Sequence, residues 1–212
     1  EIRTERPTPQ DEAKWGYAVI EHSLWSAIPR LWNRLSELTL KVTGETLPLS
    51  VAPIKISSWM GGDRDGNPNV TADVTKEILR LARWMAADLY LRDVEELLSQ
   101  LSMSNCSSEL AAECPQGVDE PYRHILRSLR ERLAATRTWA ETSEPPEPGL
   151  IHSDADLIAP LQLCYDSLLL CGMDIIADGL LKETLIRANT FGVTLVELDI
   201  RQSSDKHIEL LD

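Results

Sequence analysis

Apolar side chains recur at helical spacing along most of the chain, which predicts a mainly helical protein. The first helical stretch covers residues 10–42, where Pro29 is expected to kink or divide the helix because proline lacks a backbone N–H. Thr71 can cap a second, long helix that runs to about Ser104, and a basic helix follows at residues 122–141. An antiparallel pairing is the simplest packing of these two helices. Two further helices complete the pattern, at residues 154–171 and 180–189.

Only two segments have the apolar, β-branched composition of a strand, residues 51–59 and residues 192–200. The first runs into the glycine-rich sequence MGGDRDGNPN, and the second ends at Arg201. Parallel α/β barrels collect their functional groups at the carboxyl ends of strands, which is where both charged segments lie. Two strands cannot close a barrel, so the other strands would lie outside this sequence. The predicted fold class is mainly α with two short β-strands, a partial piece of an α/β (TIM-type) barrel elaborated with many helices.

The charge balance limits the partners that the chain can bind. It has 34 acidic and 21 basic residues, a formal net charge of -13. Nucleic acid and anionic membranes are bound by basic surfaces, so we expect neither as a partner. A small anionic substrate is permitted where a local group of arginine or lysine overrides the background field. No apolar run approaches the ~20 residues that cross a bilayer and the start resembles no targeting signal, so we expect a cytoplasmic protein.

Cysteine and histidine do not form a metal-binding pattern in this sequence. The cysteines include no C-x-x-C pair, so we expect reduced, structural thiols. The four histidines have no partner at ligand spacing, and each is expected to be a surface or packing residue. No metal site is therefore predicted within the chain. The cysteines are Cys106, Cys114, Cys164 and Cys171.

The densest group of functional side chains follows the first predicted strand. Its glycines allow a close approach of the backbone to a ligand, and Arg64 between Asp63 and Asp65 supplies a cation whose direction the two acids can fix. Such a loop suits an anion. The alternative is a tight turn in which Asp63 and Asp65 only accept hydrogen bonds from local amides.

Two other families use similar strings. The sequence DRDGN resembles the nucleophile motif of haloacid-dehalogenase-like phosphatases, with Asp63 as nucleophile and Asp65 as acid and base. That motif requires apolar strand residues directly before the first Asp, whereas Met60 and two glycines intervene here. A calcium loop starting at Asp63 would have Pro68 in place of its invariant Gly and Val74 in place of its bidentate Glu. Calcium is excluded, and the phosphatase remains a weaker alternative.

A longer match is more specific than either. The run SWMGGDRDGNPNVTADVT, residues 58–75, resembles a typical segment of the phosphoenolpyruvate carboxylase family. The stretch DEAKWGYAVIEHSLWSAIP before it and FGVTLVELDIRQSSDKH after it are similar to other segments of that family in the same order. The chain is thus identified as an internal fragment of a bacterial-type member of this family.

The resemblance implies roles for individual residues. Trp25, in the SLW segment, would be associated with bicarbonate. Arg64 and Arg201 would be catalytic and would bind phosphoenolpyruvate, whose phosphate and carboxylate both suit the planar fork of an arginine. The neighbours expected to support them are Gly61, Gly62, Asp63 and Asp65. The family usually has RQES where this chain has RQSS, so Ser203 stands in place of a glutamate. The loss of that glutamate could alter how Arg201 is oriented.

The resemblance also implies a reaction that this chain cannot complete. The family carboxylates phosphoenolpyruvate with bicarbonate, giving oxaloacetate and phosphate, and needs Mg²⁺ or Mn²⁺. In the family, the catalytic His lies in an upstream TAHPTE segment, and the carboxylates that bind the metal lie in segments further downstream. None of these segments occurs in this chain. We therefore expect an inactive fragment whose partners are phosphoenolpyruvate, bicarbonate and the remainder of the same enzyme. The intact enzyme is expected to be an allosteric, cytoplasmic homo-oligomer, a tetramer in the family. A helical interaction or regulatory module without chemistry is the alternative.

On this basis residues 1–212 are interpreted as a single partial domain of a larger enzyme. We divide the chain into seven predicted segments: helical residues 1–50, a strand with the active-site loop at 51–71, a long helical hairpin at 72–142, a proline-rich loop at 143–153, helices at 154–190, a second strand with Arg201 at 191–203, and the start of a truncated segment at 204–212.

Overall fold

The computed structural model describes residues 7–65, 67–142, 148–204 and 208. Gly66, residues 143–147 of the proline-rich loop and most of the predicted segment 204–212 lie outside the described residues. The helices are α1 (Pro9–Val19), α2 (Trp25–Thr43), α3 (Ala72–Gln100), α4 (Ser108–Ala112), α5 (Pro121–Thr142), α6 (Asp154–Leu170), α7 (Asp174–Ala177) and α8 (Leu180–Phe191). A π-helical segment, Ile20–Leu24, joins α1 to α2, and a 3-10 turn, Gly192–Thr194, follows α8. None of the helices in these ranges combines the length and apolar character that a membrane span requires.

Two parallel strands, β1 (Ser57–Ser58) and β2 (Glu197–Leu198), pair with each other. The prediction of a mainly helical chain with two short strands is confirmed, but both strands are much shorter than the predicted segments. In the second segment the 3-10 turn and Leu195, which has φ +64°, interrupt the extended backbone before β2 begins. A positive φ is rare for a residue with a bulky side chain, so this turn could not be inferred from the apolar composition.

Pro29 does not divide the helix, which was one of the two outcomes predicted for it. Pro29 lies inside α2, and the helix departs from α geometry in the preceding π segment, where the N–H of Trp25 bonds to the carbonyl of Ile20. Pro29 has no N–H to offer to the carbonyl of Trp25, four residues earlier. The Nε of Arg187 donates to that carbonyl instead, at 2.8 Å. A tertiary contact therefore replaces the lost helical bond and allows the helix to continue.

The long helices α3 and α5 pair in antiparallel orientation, as predicted. Near the end of α3, the carbonyl of Leu98 accepts a hydrogen bond from the Nε of Arg123 at 2.7 Å. Towards the other end, the guanidinium of Arg83 lies 5.8 Å from the ring centroid of Trp139. Leucines of α5 and α6 pack with residues of α3 and α8 in one hydrophobic core. The fully buried leucines of α5 and α6 include Leu126, Leu129, Leu133 and Leu157. All four cysteines are free.

Candidate active site

The glycine-rich loop after β1 is bonded directly to the end of β2. Asp63 forms a parallel β-bridge with Arg201 beyond the two short strands. The N–H of Arg64 donates to the carbonyl of Arg201 at 3.0 Å, and the N–H of Arg201 donates to the carbonyl of Gly62 at 2.9 Å. The backbones of the two arginines predicted to share a ligand are therefore neighbours, although more than a hundred residues separate them in sequence.

The two glycines before Asp63 allow this close approach. A Cβ on Gly62 would lie 2.2 Å from the carbonyl oxygen of Asp199, so any other residue would push the loop away from β2. Gly61 has φ +79°, and a Cβ there would lie 2.2 Å from Cδ1 of Ile78. The carbonyl of Trp59 accepts from the N–H groups of Gly62 and Asp63 and closes the turn. The loop conformation thus requires glycine at both positions.

The Arg64 side chain is half-buried, and it donates a hydrogen bond to a hydroxyl group. Its Nη2 donates to Oγ1 of Thr75 at 3.3 Å, while its Nε is buried without a hydrogen-bond partner among the residues described. Arg201 is exposed. Across the described part of the chain, neither arginine forms an ion pair. The positive charges at this edge are therefore not neutralised by carboxylates of the described segments.

Among the described residues, neither of the acids beside Arg64 forms an ion pair with it. Oδ1 of Asp63 accepts from the N–H of Asp65 at 3.3 Å, which folds that carboxylate back onto the loop. This contact matches the alternative in which the acids serve local amides. Thr75, whose hydroxyl accepts a hydrogen bond from Arg64, was missed by sequence reasoning. The sequence does contain a signal for Thr75: it is a polar residue three positions before Ile78, so both lie on the buried side of α3.

Trp25 lies in a separate cluster inside the protein. The residue is 8% exposed, and its indole N–H donates to Oδ1 of Asp93 at 3.5 Å. The ring stacks on Phe191 at 5.2 Å and meets Tyr90 edge-on at 5.0 Å. The guanidinium of Arg187 lies 5.5 Å from the indole centroid. In the described ranges, the hydrogen-bond and ring partners of Trp25 are different residues from those of the two loop arginines.

A buried ion pair supports this cluster. Nη1 of Arg187 lies 2.8 Å from Oδ2 of Asp93, and Nη2 lies 3.0 Å from a carboxylate oxygen of Glu183. Burial raises the pKa of the Asp93 carboxyl above its ordinary value, and the positive charge of Arg187 opposes that rise. The same burial, together with Asp93, raises the pKa of Tyr90 well above its ordinary value. Arg187 and Asp93 were not singled out from the sequence, where each looks like an ordinary charged helix residue.

Known proteins show strong similarity to the entire chain. The family model described as phosphoenolpyruvate carboxylase matches residues 1–212. A protein of that name from Pseudomonas aeruginosa is 55% identical over 215 aligned positions, which cover 100% of this chain and 24% of that protein. Those from Pseudomonas fluorescens strain Pf0-1 and Hahella chejuensis are 57% and 53% identical, over 98% and 100% of this chain. The chain spans about a quarter of the length of these relatives, 24% in each case.

Proposed function

Because the chain belongs to the phosphoenolpyruvate carboxylase family, we propose that it forms part of the substrate site of a larger enzyme that carboxylates phosphoenolpyruvate. The observation that carries this proposal is the pair of backbone hydrogen bonds that joins the loop residues Gly62 and Arg64 to Arg201, which follows β2 in the chain. Family membership favours the carboxylase over the phosphatase and over a module without chemistry. The isolated chain is proposed to be inactive, since it supplies one portion of the site.

The charge of the substrate suits this edge. Phosphoenolpyruvate carries a phosphate and a carboxylate, and each can accept two parallel hydrogen bonds from a guanidinium. The chain as a whole is acidic, with a formal charge of -13, so an anion must be attracted locally. Arg64 and Arg201 have no carboxylate partner in the described segments, which leaves their charge available for the ligand. The backbone position of Arg201 is fixed by its hydrogen bond to the carbonyl of Gly62.

The proposed reaction gains negative charge where the arginines would lie. Bicarbonate attacks the phosphate, which gives carboxyphosphate and the enolate of pyruvate. Carboxyphosphate then splits into carbon dioxide and inorganic phosphate, and the enolate captures the carbon dioxide to form oxaloacetate. Guanidinium groups that are already in place stabilise such developing charge without reorganising. Water must be excluded, because a protonated enolate would leave as pyruvate. We propose Arg64 and Arg201 as the catalytic contribution of this chain, supported by the loop residues Gly61, Gly62, Asp63 and Asp65.

For Trp25 we propose a role in forming the bicarbonate site through its ring. The indole N–H faces Asp93, so it is not free to donate to a small anion while that contact is kept. The ring is fixed by Phe191 and Tyr90, and a rigid aromatic face can exclude water from a neighbouring anion. We therefore propose that Trp25 contributes to the bicarbonate site by excluding water and not by donating a hydrogen bond.

Mg²⁺ or Mn²⁺ is proposed as the cofactor of the whole enzyme, where it would stabilise the charge of the enolate. Among the described residues, no group of His, Cys, Asp and Glu is arranged to hold a metal ion. We therefore assign no metal ligand and no metal-dependent step to this chain.

The barrel, the cytoplasmic location, the allosteric control and the homo-oligomer, a tetramer in the family, belong to the same proposal. Trp59 and Ile200, which directly follow β1 and β2 in the chain, are exposed, and further strands would cover them, which supports the barrel.

Kinetics of the full-length enzyme test the proposed function. Arg64→Ala and Arg201→Ala are each expected to cost several kcal/mol of transition-state stabilisation, measured as kcat/KM for oxaloacetate formation. Unchanged turnover in either variant would remove that arginine from the mechanism. Release of phosphate from a generic phosphoester by this chain alone, abolished in Asp63→Asn, would favour the phosphatase instead.

A further inference from the structure

Thr75 lies where the glycine-rich loop meets the first turn of α3. Its side chain is 5% exposed, and its hydroxyl donates to the carbonyl of Gly61 at 2.7 Å. The carbonyl of Thr71, the residue that caps α3, lies 3.1 Å from the same hydroxyl. The oxygen of this hydroxyl also accepts from Nη2 of Arg64 at 3.3 Å. One buried oxygen atom therefore connects the loop backbone, the helix and the guanidinium.

The chemistry of this contact suits an arginine that must bind an anion. A carboxylate in the same place would neutralise the guanidinium and compete with an anionic ligand. A neutral hydroxyl takes one N–H and leaves the charge and the remaining donors of Arg64 unchanged. The carboxylate of Asp63 accepts from the N–H of Asp65, and neither acid forms an ion pair with Arg64 among the described residues. In the portion of the chain that the structure describes, Thr75 is the side chain that holds this guanidinium.

We propose that Thr75 is a positioning residue for the carboxylation reaction and acts through Arg64. This inference rests on the proposed function of Arg64. Because the hydroxyl is fixed by Gly61, the guanidinium is directed before the substrate arrives, and less conformational freedom is lost on binding. We assign Thr75 no contact with substrate, because it is buried beneath the loop.

The test uses the full-length enzyme with Thr75→Val, which removes the hydroxyl at similar size, and Thr75→Ser, which keeps it. Thr75→Val is expected to lower kcat/KM for phosphoenolpyruvate by about tenfold or more, because small displacements of a substrate-positioning group are costly. KM for bicarbonate should change by less than about twofold. Thr75→Ser, which keeps the hydroxyl, should retain most of the kcat/KM that Thr75→Val loses. Thr136→Val is the matched control, since Thr136 is also buried and its hydroxyl also bonds backbone groups, those of Arg132 and Ile151.

A double-mutant cycle separates positioning from general damage to the fold. If Thr75 acts through Arg64, Thr75→Val should have little further effect in an Arg64→Ala background, because the group it orients is gone. Equal losses in both backgrounds, a loss in Thr75→Ser as large as in Thr75→Val, or a similar kinetic loss in Thr136→Val would each overturn the inference. Should Thr75→Val fail to fold, Thr75→Ser and Thr75→Ala differ by one oxygen atom and give the same comparison.

The outcomes distinguish this inference from the proposed function. Full activity in Arg64→Ala would reject the role of Arg64 and, with it, that of Thr75. A large loss in Arg64→Ala together with wild-type kinetics in Thr75→Val would reject the positioning role alone.

Discussion

Asp93 of α3 and Arg187 of α8 form an ion pair, 2.8 Å between Oδ2 and Nη1, with side chains that are only 12% and 7% exposed. The same arginine donates to the backbone carbonyl of Trp25, which Pro29 leaves without a helical partner. A charged pair buried in this way is costly to form, and it is strongly destabilising when one partner is removed. The pair therefore fixes how α2, α3 and α8 meet around the indole.

Removing the charge of Asp93 tests this interpretation. Asp93→Asn leaves Arg187 buried with only the partly exposed Glu183 as an ionic partner, so we expect a loss of about 3 kcal/mol in the free energy of unfolding. Chemical denaturation of the protein measures it. Arg34→Ala is the control, because the pair of Arg34 and Glu37 is 62% and 59% exposed and should contribute less than about 1 kcal/mol. Equal losses of unfolding free energy in the two variants would show that the buried pair stabilises the protein no more than the exposed pair does.

Asp156 gives a pH-dependent prediction. Hydrogen bonds from Arg132 and then from Ser153 hold the pKa of the Asp156 carboxyl well below its usual range. A depressed pKa means that the folded state prefers the carboxylate, so its stabilising effect is complete above the unfolded pKa of about 4 and is lost as pH falls towards the folded value. We expect Asp156→Asn to destabilise the protein by about 1 kcal/mol near pH 7, because it weakens a partly exposed ion pair and a capping box. Denaturation at several pH values should show this difference shrinking below pH 4, whereas a constant difference would contradict the assignment.

Gly62 tests the contact between the loop and β2. Gly62→Ala would place a Cβ 2.2 Å from the carbonyl oxygen of Asp199, so the loop must shift. In the full-length enzyme we expect kcat/KM for phosphoenolpyruvate to fall by about a hundredfold, because Arg64 moves away from Arg201. Gly179→Ala is the control, since its Cβ would lie 3.3 Å from the carbonyl oxygen of Ile176, away from the loop. Kinetics like those of the control would mean that the close approach is not required.

The parts of the fold that the sequence predicted are those set by local chemistry. The capping threonine Thr71, the glycines of the loop and the apolar stripes of α3 and α5 determine their own conformations, and the predicted helices were close to those observed. The family resemblance singled out Arg64 and Arg201, and the structure places their backbones side by side.

Contacts between distant segments could not be predicted in this way. The carbonyl of Trp25 is satisfied by Arg187, which is 162 residues away, so the proline did not break the helix where its sequence position suggested. Thr75 and Asp93 likewise acquire their partners only when the chain folds. Strand length was overestimated because an apolar, β-branched run does not reveal which of its residues find a hydrogen-bonding neighbour.

Arg64 and Arg201 are proposed to hold one molecule of phosphoenolpyruvate, and the structure of the full-length enzyme with this substrate bound tests this most directly. We predict that both guanidinium groups donate hydrogen bonds of about 2.7–3.2 Å to phosphate or carboxylate oxygens of the same molecule. A bound substrate that contacts neither arginine, or arginines directed into separate pockets, would contradict the account.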